Sequence, residues 1–163
     1  MKRLTLIRHA KSAWGDPALD DFDRPLNSRG KTAAPRMGEH LARDGLCPDL
    51  IVSSPAKRAR KTARLIAREL DYPAEAILYR QQIYEAELDT LIELVHGLPE
   101  EEHVMLVGHN PGMSELGQWF NPEAPDWLPT CAVLTLELDI GAWQNAACGS
   151  GVIGRYDYPK KAR

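Results

Sequence analysis

Cysteine is scarce in this sequence. Cys47, Cys131 and Cys148 are odd in number and widely spaced, with no CxxC pair. Neither a disulfide framework nor a thiolate zinc site is encoded by that pattern, and buried thiols in a reducing compartment, the cytoplasm, are the expectation. Long apolar runs are missing too: none approaches the roughly 18 residues of a membrane span. Only four uncharged residues separate Met1-Lys2-Arg3 from Arg8, too few for the apolar region of a signal peptide, so the opening reads as a strand. Net charge is only −3, which argues against a bulk nucleic-acid binder. There is no HExxH, no GxGxxG, no repeat and no low-complexity linker, so clustered metal ligands, a dinucleotide fold and a solenoid all lack support. Arg29-Gly30-Lys31-Thr32 looks like the end of a P-loop, but the required first glycine falls at Pro25, and no strand leads into it.

What is present is ordinary globular material: 163 residues, 44% hydrophobic and 26% charged, enough for one domain over 1–163. Short β-rich runs at 4–7, 50–52, 104–107 and 132–138 alternate with segments of helical period. That pattern predicts an α/β fold, a three-layer α/β/α sandwich around a mostly parallel sheet. Helices are expected at 28–43, where Pro35 should kink the helix or mark its start, and at 88–98 and 113–120. The clearest follows Ser53-Ser54-Pro55, with Ser54 as N-cap, Pro55 in the first turn, and Ala59, Thr62, Ala63, Ile66 and Leu70 on one face. A further strand is expected at 152–156, then a basic tail, Lys160-Lys161-Ala162-Arg163.

Three strand ends carry unusual chemistry. The first closes on Arg8-His9, the second on Ser53-Ser54-Pro55 with Arg58 just beyond, the third on Gly108-His109-Asn110-Pro111-Gly112. In parallel sheets, ligands bind beyond the carboxyl ends of strands, where helix N-termini and loops converge. Two histidines and two arginines meeting there would suit a phosphate dianion or another oxyanion. Lys57, Arg58, Arg60 and Lys61 crowd the positive end of their helix. Cations there cost about 0.3–1 kcal/mol each when exposed, which a bound anion would rationalise for Arg58, while the others read as a solvated basic face. Gly108 and Gly112 would let backbone approach a ligand closely.

Leu6-Ile7-Arg8-His9-Ala10, Ser53-Ser54-Pro55-Ala56-Lys57-Arg58-Ala59-Arg60-Lys61-Thr62-Ala63 and Val107-Gly108-His109-Asn110 resemble, in order, the three motifs of the histidine phosphatase superfamily. The small size, Ala10 after His9, the opening Arg8-His9-Ala10-Lys11-Ser12-Ala13-Trp14 and Asp23-Arg24-Pro25-Leu26 are most similar to its SixA-type phosphohistidine phosphatases. The resemblance implies a phosphoglycerate mutase-like fold and a phosphatase that takes a phosphoryl group onto His9, with Arg8, Arg58 and His109 holding the oxygens. Arg24 and Ser12 would be further substrate contacts; Arg24 is equally readable as a loop arginine paired with Asp20, Asp21 or Asp23.

A neutral imidazole is a good in-line nucleophile, and crowded cations would help keep His9 neutral, while a protonated His109 would add a donor. No metal or other cofactor is implied. An alkyl phosphate needs a general acid, for which Glu85 is the candidate and Glu87 the second, or both simply cap the next helix. Phosphohistidine needs far less help to leave. The expected substrate is accordingly a phosphohistidine-bearing protein or a small phosphate ester, with neither nucleic acid nor membrane as partner. The alternatives are a general phosphomonoesterase or phosphosugar phosphatase and a non-catalytic phosphate-recognition module. Trp14 and Phe22, in the long connection 10–26, would line the mouth.

Overall fold

Strict alternation along the strands divides the apolar side chains between two clusters, one on each face of a single sheet. In β1 (Lys2–Arg8), Leu4 and Leu6 enter one cluster and Ile7 the other; in β4 (His103–Gly108), Val104 and Leu106 oppose Met105 and Val107. The first cluster is covered by α3 (Leu88–His96) and α4 (Gly112–Phe120), through Leu91, Val95, Met113, Leu116 and Phe120. The second is covered by α1 (Ser28–Arg43) and α2 (Lys57–Glu69), through Ala34, Met37, Leu41, Ala59, Ala63 and Ile66. This is the three-layer α/β/α sandwich expected. The computed structural model describes residues 1–161, so Ala162 and Arg163 of the basic tail lie outside the described residues.

Six strands lie in the order β3-β2-β4-β1-β5-β6, adding β2 (Leu50–Ser53), β3 (Leu78–Tyr79), β5 (Val133–Leu138) and β6 (Gly151–Asp157). β3, β2, β4 and β1 are mutually parallel, while β5 runs antiparallel to both β1 and β6. The sheet is thus mixed and mostly parallel. β4 sits between β2 and β1, so the chain reverses its direction of winding there, which opens the crevice where such sheets hold ligands. No helix among the described residues is long and apolar enough to cross a membrane.

Some local expectations need correction. α1 starts at Ser28, well before Pro35, because Asn27 accepts the Gly30 N–H at 2.9 Å and caps it. Pro35 therefore neither begins nor ends the helix; the packing of Ala34, Met37 and Leu41 outweighs one lost backbone bond. α2 begins at Lys57 with Ala56 as its N-cap, so Ser54 is not the cap. Its hydroxyl instead accepts the Ala56 N–H at 3.2 Å, in the turn before the helix. β3, two residues long and paired in parallel with Val52 and Ser53, is too short to show any alternation in sequence.

Candidate active site

Three strand ends stay hydrogen-bonded level with one another where the chemistry begins. His9 N–H donates to Gly108 O at 3.0 Å and Ser54 N–H to Val107 O at 3.0 Å, while Cys131 N–H, just before β5, donates to Arg8 O at 3.0 Å. The backbone thus delivers His9, Ser54 and His109 to one crevice. The His9 and His109 rings lie 5.2 Å apart between centroids, and both residues are 7% exposed, with Arg58 at 6%.

Each group is held from behind. His9 Nδ1 is 2.7 Å from Ala10 O; a carbonyl only accepts, so Nδ1 carries the proton and Nε2 keeps its lone pair. Ala10 is itself fixed by its N–H to Thr62 Oγ1 at 3.0 Å, and that hydroxyl donates to Arg58 O at 2.8 Å. The sequence motif containing Thr62 is therefore a brace between α2 and the His9 loop. His109 Nε2 is 2.7 Å from Ser54 Oγ. With the Ser54 hydroxyl donating to Nε2, the neutral His109 ring carries its proton on Nδ1. That Nδ1 and Arg8 Nε are buried without a protein partner. Two orphaned donors beside an imidazole lone pair form a receptor for oxyanion oxygens. Arg8 is oriented by Nη1 donating to Leu128 O at 3.0 Å and lies under Trp127, 5.5 Å from its ring centroid.

Comparison with known proteins identifies the family. Residues 4–94 match the family model of the histidine phosphatase superfamily (branch 1). The chain belongs to that superfamily. A structure assigned as the phosphohistidine phosphatase SixA of Agrobacterium tumefaciens superposes with a TM-score of 0.84 at 31% identity, covering 97% of this chain and 98% of that one. An uncharacterized chloroplastic protein of Arabidopsis thaliana is 32% identical over 159 residues, 92% of this chain and 72% of its own length. A 2,3-bisphosphoglycerate-dependent phosphoglycerate mutase of Streptomyces avermitilis is 39% identical over 71 residues, which is 42% of this chain and only 28% of the mutase.

In this histidine phosphatase, burial is the first cause of the His9 shift. It lowers the pKa to about 4 against the opposing Ala10 hydrogen bond, and Arg58, Arg8 and Arg24 add to the lowering. The cations expected to keep His9 neutral are thus the secondary influence. His109 is lowered to about 3 by burial, then by His9 and Arg58. The protonated His109 expected from sequence is corrected here to a neutral donor: an apolar, cation-lined recess disfavours a second positive charge.

Reading by sequence missed two organising groups, Asp21 and Tyr84. Asp21 Oδ2 accepts from Arg58 Nη2 at 3.0 Å and from Tyr84 OH at 2.6 Å, its Oδ1 accepts from Arg24 Nη1 at 2.9 Å, and its backbone O accepts from Arg58 Nη1 at 2.7 Å. Burial pushes the Asp21 carboxyl up, but the hydrogen bonds from Tyr84, Arg24 and Arg58 prevail and hold it below the usual range. Tyr84 is raised to about 12 by burial and by that same bond, and its ring stands edge-on to His109 at 5.5 Å. The signals were faint: one aspartate among four between 16 and 23, and a tyrosine beside the glutamate that drew attention.

Arg24 and Ser12 sit one layer out. Arg24 Nη2 donates to Ser12 Oγ at 2.6 Å and Nε to Ala13 O at 3.0 Å, so with Asp21 all three guanidinium nitrogens brace the loop. Of the two readings of Arg24, pairing with Asp21 is the one its contacts display. Glu85 and Glu87 are exposed, and Glu85 has a left-handed φ of 51°. The two glycines expected to admit a ligand admit protein instead: a Cβ on Gly112 would lie 2.7 Å from Ala86 O, and one on Gly108 2.8 Å from Met113 Sδ.

Proposed function

We propose that this chain is a phosphohistidine phosphatase that receives the phosphoryl group on His9 Nε2. The observation that carries the reading is the pairing of a nucleophile kept unprotonated near neutral pH with neighbours none of which is a poised acid. Of the titratable groups around His9, Asp21 is held ionised, Tyr84 is raised to about 12, and His109 is neutral at about 3. None suits protonation of an alkoxide near neutral pH. Phosphohistidine needs no such donor when its second ring nitrogen carries a proton, because the imidazole then departs neutral. His9 Nε2 bonds to phosphorus as the substrate's P–N bond breaks, and Arg8, Arg58 and the His109 Nδ1–H offset charge on the three oxygens. Water then adds to phosphorus and the P–Nε2 bond breaks. His9 leaves neutral, its proton retained on Nδ1 against Ala10 O, and the water's protons go to phosphate and solvent. The SixA-like structure supports this assignment; the cysteines are free, but only Cys131 is buried, and Cys47 and Cys148 are exposed where buried thiols were expected.

The local similarity to a phosphoglycerate mutase favours a second reading, a phosphomonoesterase in which Glu85 supplies the proton. Turnover of N-phosphohistidine and of an alkyl phosphate by wild type, His9→Ala and Glu85→Gln separates the two. We expect His9→Ala to abolish acid-labile labelling and turnover, and Glu85→Gln to leave phosphohistidine turnover within about three-fold. A loss of about a hundred-fold on the alkyl ester alone in Glu85→Gln, the size of a general-acid contribution, with efficient alkyl turnover by wild type, establishes the second reading. Unchanged labelling in His9→Ala removes both.

A further inference from the structure

The reacting groups are recessed while the surface around them is unusually apolar. Among the described residues five large hydrophobic side chains are exposed, and three of them, Trp14, Leu19 and Trp127, lie on connections that enclose this site. Trp14 is 83% exposed and Trp127 55%. Tryptophan is normally well buried, and exposed aromatic groups clustered at a cleft mark contact surfaces. Each is fixed by an arginine beneath it: the Arg24 guanidinium lies 3.4 Å from the Trp14 ring centroid and that of Arg8 5.5 Å from Trp127. One face of each indole is thus spent on a cation. Trp14 is tied to the site through Arg24, which pairs with Asp21 beside Arg58, and Trp127 through Arg8.

Charge sharpens the picture. The three connections at this end carry exposed Asp16, Asp20, Asp23, Glu85, Glu87, Glu123 and Asp126, against exposed Lys11 and Arg80 there and exposed Lys57 at the start of α2. Around the cationic recess lies a ring of charge in which carboxylates outnumber cations. Such a ring disfavours a small polyanion, whose second phosphate or carboxylate would meet it, and favours an anionic tip on a basic body.

Resting on the phosphohistidine reading above, we propose that this mouth is a docking surface for a protein whose phosphohistidine is flanked by apolar and basic side chains. The phosphoryl group enters the recess, the apolar flank packs on Trp14 and Trp127, and lysine or arginine side chains meet the acidic rim. Trp14 and Trp127 are then specificity-determining residues for protein-borne substrate.

The test compares N-phosphohistidine with two histidine-phosphorylated peptides, one flanked by lysine and leucine, the other by glutamate and serine. Wild type should favour the lysine–leucine peptide over the glutamate–serine peptide by about ten-fold or more in kcat/KM, the order of one anchoring contact. Trp14→Ala and Trp127→Ala should raise its KM several times more than the KM for N-phosphohistidine, Trp→Phe should restore most of the loss, and Asp20→Asn/Asp23→Asn should narrow the preference between peptides. Equal losses on all substrates would show that the indoles serve only to hold Arg24 and Arg8, and would overturn the docking proposal alone. So would unaltered KM values. Turnover of none of these compounds by wild type overturns the phosphohistidine reading and the docking surface with it. Circular dichroism melts of each variant confirm that folded protein is being compared.

Discussion

His9 can attack phosphorus only while Nε2 is unprotonated, so the environment that sets its proton affinity also sets its working range. Burial, assisted by Arg58, Arg8 and Arg24, brings the pKa to about 4. The expected consequence is an acid limb well below neutrality. In single-turnover labelling at saturating concentration of a phosphodonor that does not itself titrate in this range, the phosphorylation rate should stay level from pH 7 to about 5 and halve near 4. A limb centred near 6.5, the ordinary histidine value, would show that the recess does not protect His9 as its burial implies. The direction of this effect follows from a histidine at the end of an apolar strand. The neutral state of His109 has the same first cause, burial, followed by His9 and Arg58, whereas its contact with Ser54, 2.7 Å away and distant in sequence, comes only from the fold.

Among the elements, the N-terminus of α1 is where fold and site are most tightly joined. Lys11 O lies where a Cβ on Gly30 would be, at 2.2 Å, and Lys11 O also accepts the Asn27 N–H at 2.9 Å. Because the contact is with backbone, Gly30→Ala must displace the connection that carries Ser12, Asp21 and Arg24. Gly45, after α1, has a φ of +79° with nothing within 4 Å of its virtual Cβ. Gly45→Ala should therefore cost about 1–2 kcal/mol of backbone strain and leave kcat/KM alone, whereas Gly30→Ala should lower both stability and kcat/KM. Urea melts and steady-state kinetics on the two variants check this, and equal kinetics would detach α1 from the site. The strands and helices themselves were legible because alternation and helical period persist along β1, β4, α1 and α2. β3 was not, being two residues long, and neither was the true cap of α2, because Ser54 was drawn to His109 instead of the helix. Arg8, His9, Arg58 and His109 were found together because each lies at the end of a strand or in the few residues beyond it. Asp21 and Tyr84 were missed because they reach the crevice only through tertiary packing of two irregular connections.

Over the whole molecule, three histidines are buried with their protons disfavoured: His9 and His103 at about 4 and His109 at about 3. For His103 the causes are burial and then Arg3, with its ring held 2.8 Å from the Thr5 hydroxyl. In the unfolded chain each would titrate near 6.5. Between those values the unfolded state binds more protons than the folded one, so stability is complete above about 6.5 and drains away as pH falls toward 4. Asp21 acts later, since a carboxyl held below its unfolded value of 3.8 gives up its contribution only on further acidification. His103 isolates the effect because it lies at the far end of β4 from the reacting groups. Replacing it removes one titrating group without touching the recess. His103→Gln should thus be less stable at pH 7 yet lose less on acidification to pH 4, by on the order of 3 kcal/mol for a shift of this size. Urea midpoints across that interval measure it. Parallel curves for variant and wild type would mean that His103 titrates as freely in the fold as in the unfolded chain, and that the acid sensitivity belongs to the two histidines of the site alone.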